Sequence, residues 1–444
     1  MKMKMKRQIF IGSVVYFLGL VVLLQGNASL AVVEDITVNE SLFSKLVIKS
    51  HLSDGYWIDS LDIDNDNDMD LIGYGLTSGQ ITAYLNPGPE NIQQPWKEHM
   101  IVDLTQPVGM DTADIDGDGL TDIVITYEYG PTMEEVNPEG GKIVWLRNPG
   151  KLSDKWQEYY IGRDTGMHRL MLGHFTQSKQ LELMSFPVVS RPHAIHSTVP
   201  IALYNKPLYN KPEDLYNAKS WYKTLVNNRY FKVIHDPVVT KNPELSDHDV
   251  LLVASQEGIS WIYYDKEGNW QVKNIVRGDY SPQDYANSKE FFFGSNTGGI
   301  GAYQEKPRTY IAAIEPFHGG NLAAYIRDKY GKWQRQVLGK FGEVDELGYG
   351  TSHHLLIYDF DRDGSDEFLA AFPKTPKGVI YGKLTDLSKQ QFELQRVSND
   401  SASRIVLEDF DKDGRMDFAT IGYNVPGYYE DQNPQVLVFL SQIK

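Results

Sequence analysis

Four stretches of the chain gather carboxylates at a spacing that suits a hard divalent cation. They read DIDNDNDMD from Asp62, DIDGDGLTD from Asp114, DFDRDGSDE from Asp359 and DFDKDGRMD from Asp409. Positions 1, 3, 5 and 9 are acidic in every copy. The residues are Asp62, Asp64, Asp66 and Asp70; Asp114, Asp116, Asp118 and Asp122; Asp359, Asp361, Asp363 and Glu367; and Asp409, Asp411, Asp413 and Asp417. Ca²⁺ takes about six to eight oxygens in a flexible shell, and a turn this dense in carboxylates supplies them. The start matches an EF-hand loop, but position 12 is Gly73, Ile125, Ala370 or Thr420 where the bidentate Glu should stand. Apolar strand-like runs follow (LIGYG, IVITY, FLAAF, FATIG), where an EF-hand continues as helix. Up to four structural calcium turns between strands are expected.

Histidine is the second chemical signal. His51, His168, His193, His196, His235, His318, His353 and His354 are expected at the strand ends opposite the acidic turns. Arg169, Arg191, Arg229, Lys374, Lys377 and Arg404 accompany them. His168, His235 and His353 each lie six residues before position 1 of their repeat, which is His174, Lys241 or Asp359. Three repeats therefore present imidazole at one point of one strand. The cluster is expected to be catalytic or metal-binding, with ordinary polar lining as the alternative. Neutral imidazole is the usual nitrogen ligand of Zn²⁺, although these spacings fit no sequence-local zinc motif. The loop PVVSRPHAIHSTVP, from Pro187, adds Arg191 and His193. Pro192 favours an extended Arg191, and in extended chain Arg191 and His193 point the same way. YEYGPTMEEVNPEGG, with Tyr127 and Tyr129, reads as a binding wall.

Repeated strands must position these groups. An aromatic residue opens a short alternating strand at Phe43, Trp96, Trp156, Trp221, Trp270, Trp333 and Phe392. Further strands lie between them, among them ITAYLNPG, IVWLRNPG, ISWIYYD and VLVFL. Four strands per repeat predict an all-β fold, a seven-bladed β-propeller. FSKLVI at Phe43 precedes the first full blade, so it is expected to complete the last one and close the ring.

Residues 1–31 read as a secretory signal peptide. Lys2, Lys4, Lys6 and Arg7 precede the apolar run Ile9 to Leu24, and small residues end it. Residues 32–444 are then a single propeller, secreted or periplasmic in a bacterium and monomeric, with no membrane contact once the leader is removed. Retention of the segment as an anchor is the alternative. The chain has no cysteine, so packing and metals must hold an exported protein together. Removing the four cationic leader residues takes the formal charge from −16 to −20, which disfavours a nucleic-acid partner.

The acidic loops resemble FG-GAP or VCBS repeats, as in integrin α-subunit propellers and many secreted bacterial propellers. HFTQSKQLE from His174 keeps only Glu182, and blades four and five lack the acidic run, so these three are not expected to bind calcium there. IEPFHGGN around His318 and SHH at His353 resemble secreted propellers that act on carbohydrate. Among these are the ulvan lyases, with structural calcium, and the propeller of aldos-2-ulose dehydratase. The resemblance implies a lyase that cleaves a uronic-acid polysaccharide by β-elimination. His168 and His193 are then candidates for base and acid, with Tyr230 an alternative proton donor. Arg191 and Arg229 would hold the carboxylate, and Arg169, His235, His318, His353 and His354 would bind substrate. A lectin that recognises an acidic glycan without cleaving it, or a scaffold with no ligand, remains the alternative.

Overall fold

The computed structural model describes residues 36–208, 211–280, 293–342, 350–426 and 429–443. The segment read as a leader lies outside the described residues. Within them the chain forms seven antiparallel sheets of four strands each. In six sheets the strands follow chain order from the channel outward; the first runs Trp57–Leu61, Asp70–Tyr74, Gln80–Leu85 and Lys97–Asp103. The innermost strands of the others are Gly109–Ala113, Met167–Gly173, Ile234–Lys241, Thr297–Tyr303, His354–Tyr358 and Arg404–Glu408. This is the seven-bladed propeller expected from the repeats.

Burial along a blade follows from position. The second strands are enclosed on both faces by neighbouring blades, so Asp70–Tyr74, Glu182–Pro187 and Glu367–Phe372 are buried throughout and read as nearly unbroken apolar runs. Outer strands meet solvent, and Tyr222–Asn227 is mostly exposed. The acidic turns all join first to second strands and share one face of the disc.

The last sheet is closed by the first strand. Phe43–Lys49 pairs antiparallel with Val436–Ser441, Phe43 opposite Ser441 and Leu46 opposite Val438. Phe43 is buried with its ring centroid 4.9 Å from Phe418 and 5.8 Å from Phe360. The clasp thus joins blades six and seven as well as closing an edge. Phe43→Ala should cost about 3–5 kcal/mol of unfolding free energy, as for other buried Phe truncations. Urea denaturation measures this, and a loss below about 1 kcal/mol would show that the clasp contributes little.

Candidate functional site

Each inner strand reaches the narrow end of the channel at one equivalent position. In blades one, two, five, six and seven it is Tyr56, Val108, Asn296, His353 and Ser403. Their N–H groups donate to the carbonyls of Tyr74, Thr126, Ile314, Ala371 and Ile421 on the second strands. In blades three and four it is His168 and His235, each the extra residue of a β-bulge, because pairing steps from Met167 to Arg169 and from Ile234 to Asp236. A bulge takes its extra residue out of the ladder and re-aims the side chain. The ring encloses a cavity of about 30 Å³, room for about two waters. Tyr56, His168, His235, His318 and His353 supply its polar wall, and Val108, Met133, Val188 and Phe317 much of its apolar wall.

Three imidazoles converge here. His235 Nδ1 lies 3.2 Å from the carbonyl of Asn296, and His353 Nδ1 lies 2.7 Å from that of Ser403. A carbonyl only accepts, so Nδ1 carries the proton in both rings and Nε2 keeps its lone pair. His318 comes from the connection between Lys306–Glu315 and Asn321–Arg327. Its Nε2 is 3.2 Å from His235 Nε2, and its Nδ1 is 3.2 Å from the Tyr429 hydroxyl. Burial, reinforced by neighbouring positive charge, holds His235 and His353 far below the usual histidine range and His318 down to about 3. All three are neutral at pH 7.

Ring nitrogens of His235, His318 and His353 lie within 4.8 Å of one another. Nitrogens bound to tetrahedral Zn²⁺ at ~2.0–2.1 Å stand ~3.3 Å apart, close to the His235–His318 separation. Backbone carbonyls fixing the far nitrogens are the outer support that metal-bound histidines carry. The three residues could hold Zn²⁺ or a similar ion, leaving a position for water or substrate.

A second group adjoins the same cavity, which Tyr56 and His168 line and Arg169 supports from outside. Arg169 is buried, with its guanidinium over the Trp57 ring at 4.9 Å. Its Nη1 donates to the Tyr56 hydroxyl at 2.8 Å and lies 3.1 Å from His168 Nε2. Tyr56 Oη is also 3.1 Å from His168 Nε2. Arginine can only donate, so that nitrogen is an acceptor and the His168 proton sits on Nδ1. Among the described residues His168 Nδ1 has no partner. Burial and then the charge of Arg169 keep His168 neutral. Gly109 permits the approach of the neighbouring strand, since a Cβ there would stand 2.5 Å from the His168 carbonyl.

Several residues singled out from sequence lie elsewhere. Arg191 and His193 are exposed and do not line the cavity. Their segment is a turn and not extended chain: His193 has φ 54°, and its N–H donates to the Glu134 carbonyl in blade two. Val188, Val189 and Ile195 pack into the apolar cluster with Tyr129 and Met133, which turns the polar residues of the loop outward. Arg229 is exposed, and Tyr230 packs edge-on against Phe231 at 4.8 Å; neither lines the cavity. His354 faces a separate cavity of about 490 Å³ in the central channel, with Asp236 and Arg404. Its Nδ1 accepts from the Ile405 N–H at 3.2 Å, so it holds two blades together and lines a different space from His353. His51 and His196 are exposed. Tyr129 lines the cavity as a wall, whereas Tyr127 bonds Glu158. Tyr56, Asn296 and Tyr429 belong to the site and escape the reading of the sequence. Tyr56 sits six residues before Asp62, so the register that marks the histidines marks it too.

The acidic turns have a common build. The position-9 carboxylate accepts from the position-2 N–H: Asp70 from Ile63, Asp122 from Ile115, Glu367 from Phe360, Asp417 from Phe410. Oxygens of Asp62, Asp64 and Asp66 converge within 4.8 Å, as do those of Asp114, Asp116 and Asp122, Asp359, Asp361 and Glu367, and Asp409, Asp411 and Asp417. Burial first, with neighbouring carboxylates adding to it, raises Asp70, Asp122, Glu367 and Asp417 to about 7. Cations already reach all four turns: Lys412 pairs with Asp68, Arg147 with Asp116 and Asp118, Lys383 with Asp361, Asp363 and Glu367, and Arg415 with Asp413.

Residues 140–328 match the family model of the aldos-2-ulose dehydratase β-propeller domain, and residues 62–125 match the FG-GAP-like repeat. Aldos-2-ulose dehydratase of Phanerodontia chrysosporium is 30% identical over 427 residues, covering 90% of this chain and 46% of the relative. The chain thus spans about half the length of the curated relative it matches. Among solved structures, an Agrocybe aegerita lectin that recognises non-reducing terminal N-acetylglucosamine aligns with TM-score 0.48 and 12% identity, over 88% of this chain and 87% of that one. An ancestral GH74 enzyme aligns with TM-score 0.49 and 11% identity, over 87% and 48%. Likeness at that level says nothing of ligand or activity. The chain is a seven-bladed propeller with FG-GAP-like repeats, homologous to the propeller of aldos-2-ulose dehydratase.

Proposed function

We propose that this protein is a carbon–oxygen lyase for carbohydrates. It removes a proton from the carbon beside a carbonyl and breaks the C–O bond at the carbon beyond, so that a C=C bond forms and the oxygen leaves, protonated, as water or an alcohol. The observation that carries this reading is the convergence of His235, His318 and His353 on one small cavity, with Tyr56 and His168 also lining it and Arg169 bonded to both. A divalent ion held by the three imidazoles would polarise the carbonyl and stabilise the enolate that develops on its oxygen. Tyr56 is the proton-transfer group, since its hydroxyl joins Arg169, which can support negative charge on the oxygen, to His168, which can accept its proton. His168 Nδ1–H is then a donor to a substrate oxygen, whereas the sequence made His168 and His193 candidates for base and acid.

The relative's name supplies the substrate class, a sugar carrying a keto group at carbon 2. A uronate polymer such as ulvan has less support. The residues expected to clamp its carboxylate, Arg191 and Arg229, lie outside the cavity. Structural Ca²⁺ at the acidic turns is the second part of the reading. Convergent carboxylates and raised position-9 groups both favour a cation there.

Purified protein should be supplied with Zn²⁺ and offered 2-keto sugars and, separately, acidic algal polysaccharides, with ultraviolet absorbance reporting the unsaturated product. Turnover is expected with the keto sugars. Tyr56→Phe should lower kcat by ~10²–10⁴ with little change in KM, the usual weight of a general acid or base. His235→Ala should lose bound Zn²⁺ by elemental analysis along with turnover. Binding of glycan with no unsaturated product would identify a lectin and overturn the lyase.

Calcium has a separate readout. Removing Ca²⁺ with EGTA should lower Tm by several degrees, and Ca²⁺ but not Mg²⁺ should restore it, because an ion bound only to the folded state stabilises that state. A melting curve unmoved by EGTA at near-zero calcium content would exclude a structural role.

A further inference from the structure

We infer that Asn296 is the positioning residue that assembles the three-imidazole site, an inference that rests on the metal-binding reading above. Asn296 is the blade-five member of the ring and is wholly buried. It touches each of the three histidines through a different atom. Its backbone carbonyl accepts from His235 Nδ1 at 3.2 Å. Its side-chain Oδ1 accepts from the His318 N–H at 3.0 Å, and its Nδ2 donates to the His353 carbonyl at 2.9 Å. Its own N–H is bound to the Ile314 carbonyl at 2.9 Å, which fixes it to the blade.

The chemistry of these partners admits only one orientation of the amide. A backbone N–H can only donate and a carbonyl can only accept, so the oxygen must face His318 and the nitrogen His353. Few side chains could serve here. Leucine matches the size and bonds neither partner, while aspartate would set an oxygen against the His353 carbonyl. His318 also stands in the left-handed region, with φ 49°, where a residue with a side chain needs outside support. The bond from its N–H to Oδ1 supplies some of that support. Outer-shell partners of metal-bound histidine usually act on one ligand, and their loss costs about 10–100-fold in metal affinity. Asn296 acts on all three ligands, through one ring nitrogen and two main-chain groups.

The test uses the full chain carrying Asn296→Ala, with Asn296→Ser as the milder variant and Ser185→Ala as a control. Ser185 is a buried polar residue of blade three bonded to Asp164 and Ala202, and it takes no part in the cavity. Zn²⁺ affinity is measured by competition with a chromophoric chelator. Hydrogen exchange is measured, without metal, on the peptide containing His318. Asn296→Ala should weaken Zn²⁺ binding by about 10–100-fold and speed exchange at the His318 amide at least about tenfold, since that amide loses its acceptor. Asn296→Ser should fall between it and the wild type, and Ser185→Ala should change neither quantity. Wild-type affinity in a folded Asn296→Ala protein would overturn the inference, as would unchanged exchange at His318. If the wild-type chain binds no Zn²⁺, Co²⁺ or Mn²⁺, the metal-binding reading fails, and the exchange result alone then decides whether Asn296 positions His318.

Discussion

The narrow end of the channel takes one residue from each of seven blades at a shared register, and the chemistry depends on how those residues hold one another. Two of the contacts are made by main chain. The blade-five carbonyl at Asn296 orients the blade-four imidazole of His235, and the blade-seven carbonyl at Ser403 orients the blade-six imidazole of His353. No side-chain substitution removes a carbonyl, so these two tautomers are set by how adjacent blades sit against each other. Ser403 also donates its hydroxyl to the Tyr56 carbonyl at 2.7 Å, linking blade seven to blade one. Blade seven is complete only when Phe43–Lys49 adds its fourth strand, so the clasp at the rim and the geometry at the centre belong to one closed circuit.

Charge gives the site its second constraint. A strongly acidic protein buries Arg169 and places Arg404 over the same Trp57 ring, with Arg404 3.7 Å from the ring centroid. Their positive field adds to burial in keeping the nearby imidazoles neutral. Neutral imidazole is the form that can accept a proton or bind a cation. Arg169 therefore has two effects: it holds Tyr56 directly, and it keeps protons off the histidines. The carboxylates that offset this charge, Asp59 and Asp236, lie further along the channel with His354, so acidic groups stay out of the small cavity.

What can be read from sequence follows from which interactions are local. The acidic turns number the inner strands, and the same numbering, carried to blade four by taking Asp249 as position 9, brings out His168, His235 and His353. Tyr56 obeys the same count and escapes it only when the count is applied to histidine alone. Asn296 cannot be counted, since blade five has neither the acidic run nor a carboxylate at position 9, where Tyr310 stands. The loop from Pro187 departs from expectation for a different reason. Its path is decided by Val188, Val189 and Ile195 finding a cluster in blade two, a long-range contact that local preference at Pro192 does not reveal. His353 and His354 show the limit of adjacency, because consecutive strand residues face opposite ways and these two serve different cavities.

Blade three shows why a blade without the full acidic run still fits the ring. There Glu182 stands at position 9 and accepts from the Phe175 and Thr176 N–H groups, as Asp70 accepts from Ile63. The remaining acidic positions of that turn are absent, yet the inner strand leaves it in the same register and delivers His168 to the mouth. The position-9 carboxylate is therefore part of the turn itself, whereas the position-1 carboxylate, which in the first acidic turn accepts from the Asp66 and Asn67 N–H groups, is dispensable to the register. The turn does not need the full acidic run in order to place a residue at the far end of the strand. The two faces can then differ in chemistry without differing in fold: the acidic face varies in its carboxylates from blade to blade, and the opposite face takes whatever side chains the common register delivers.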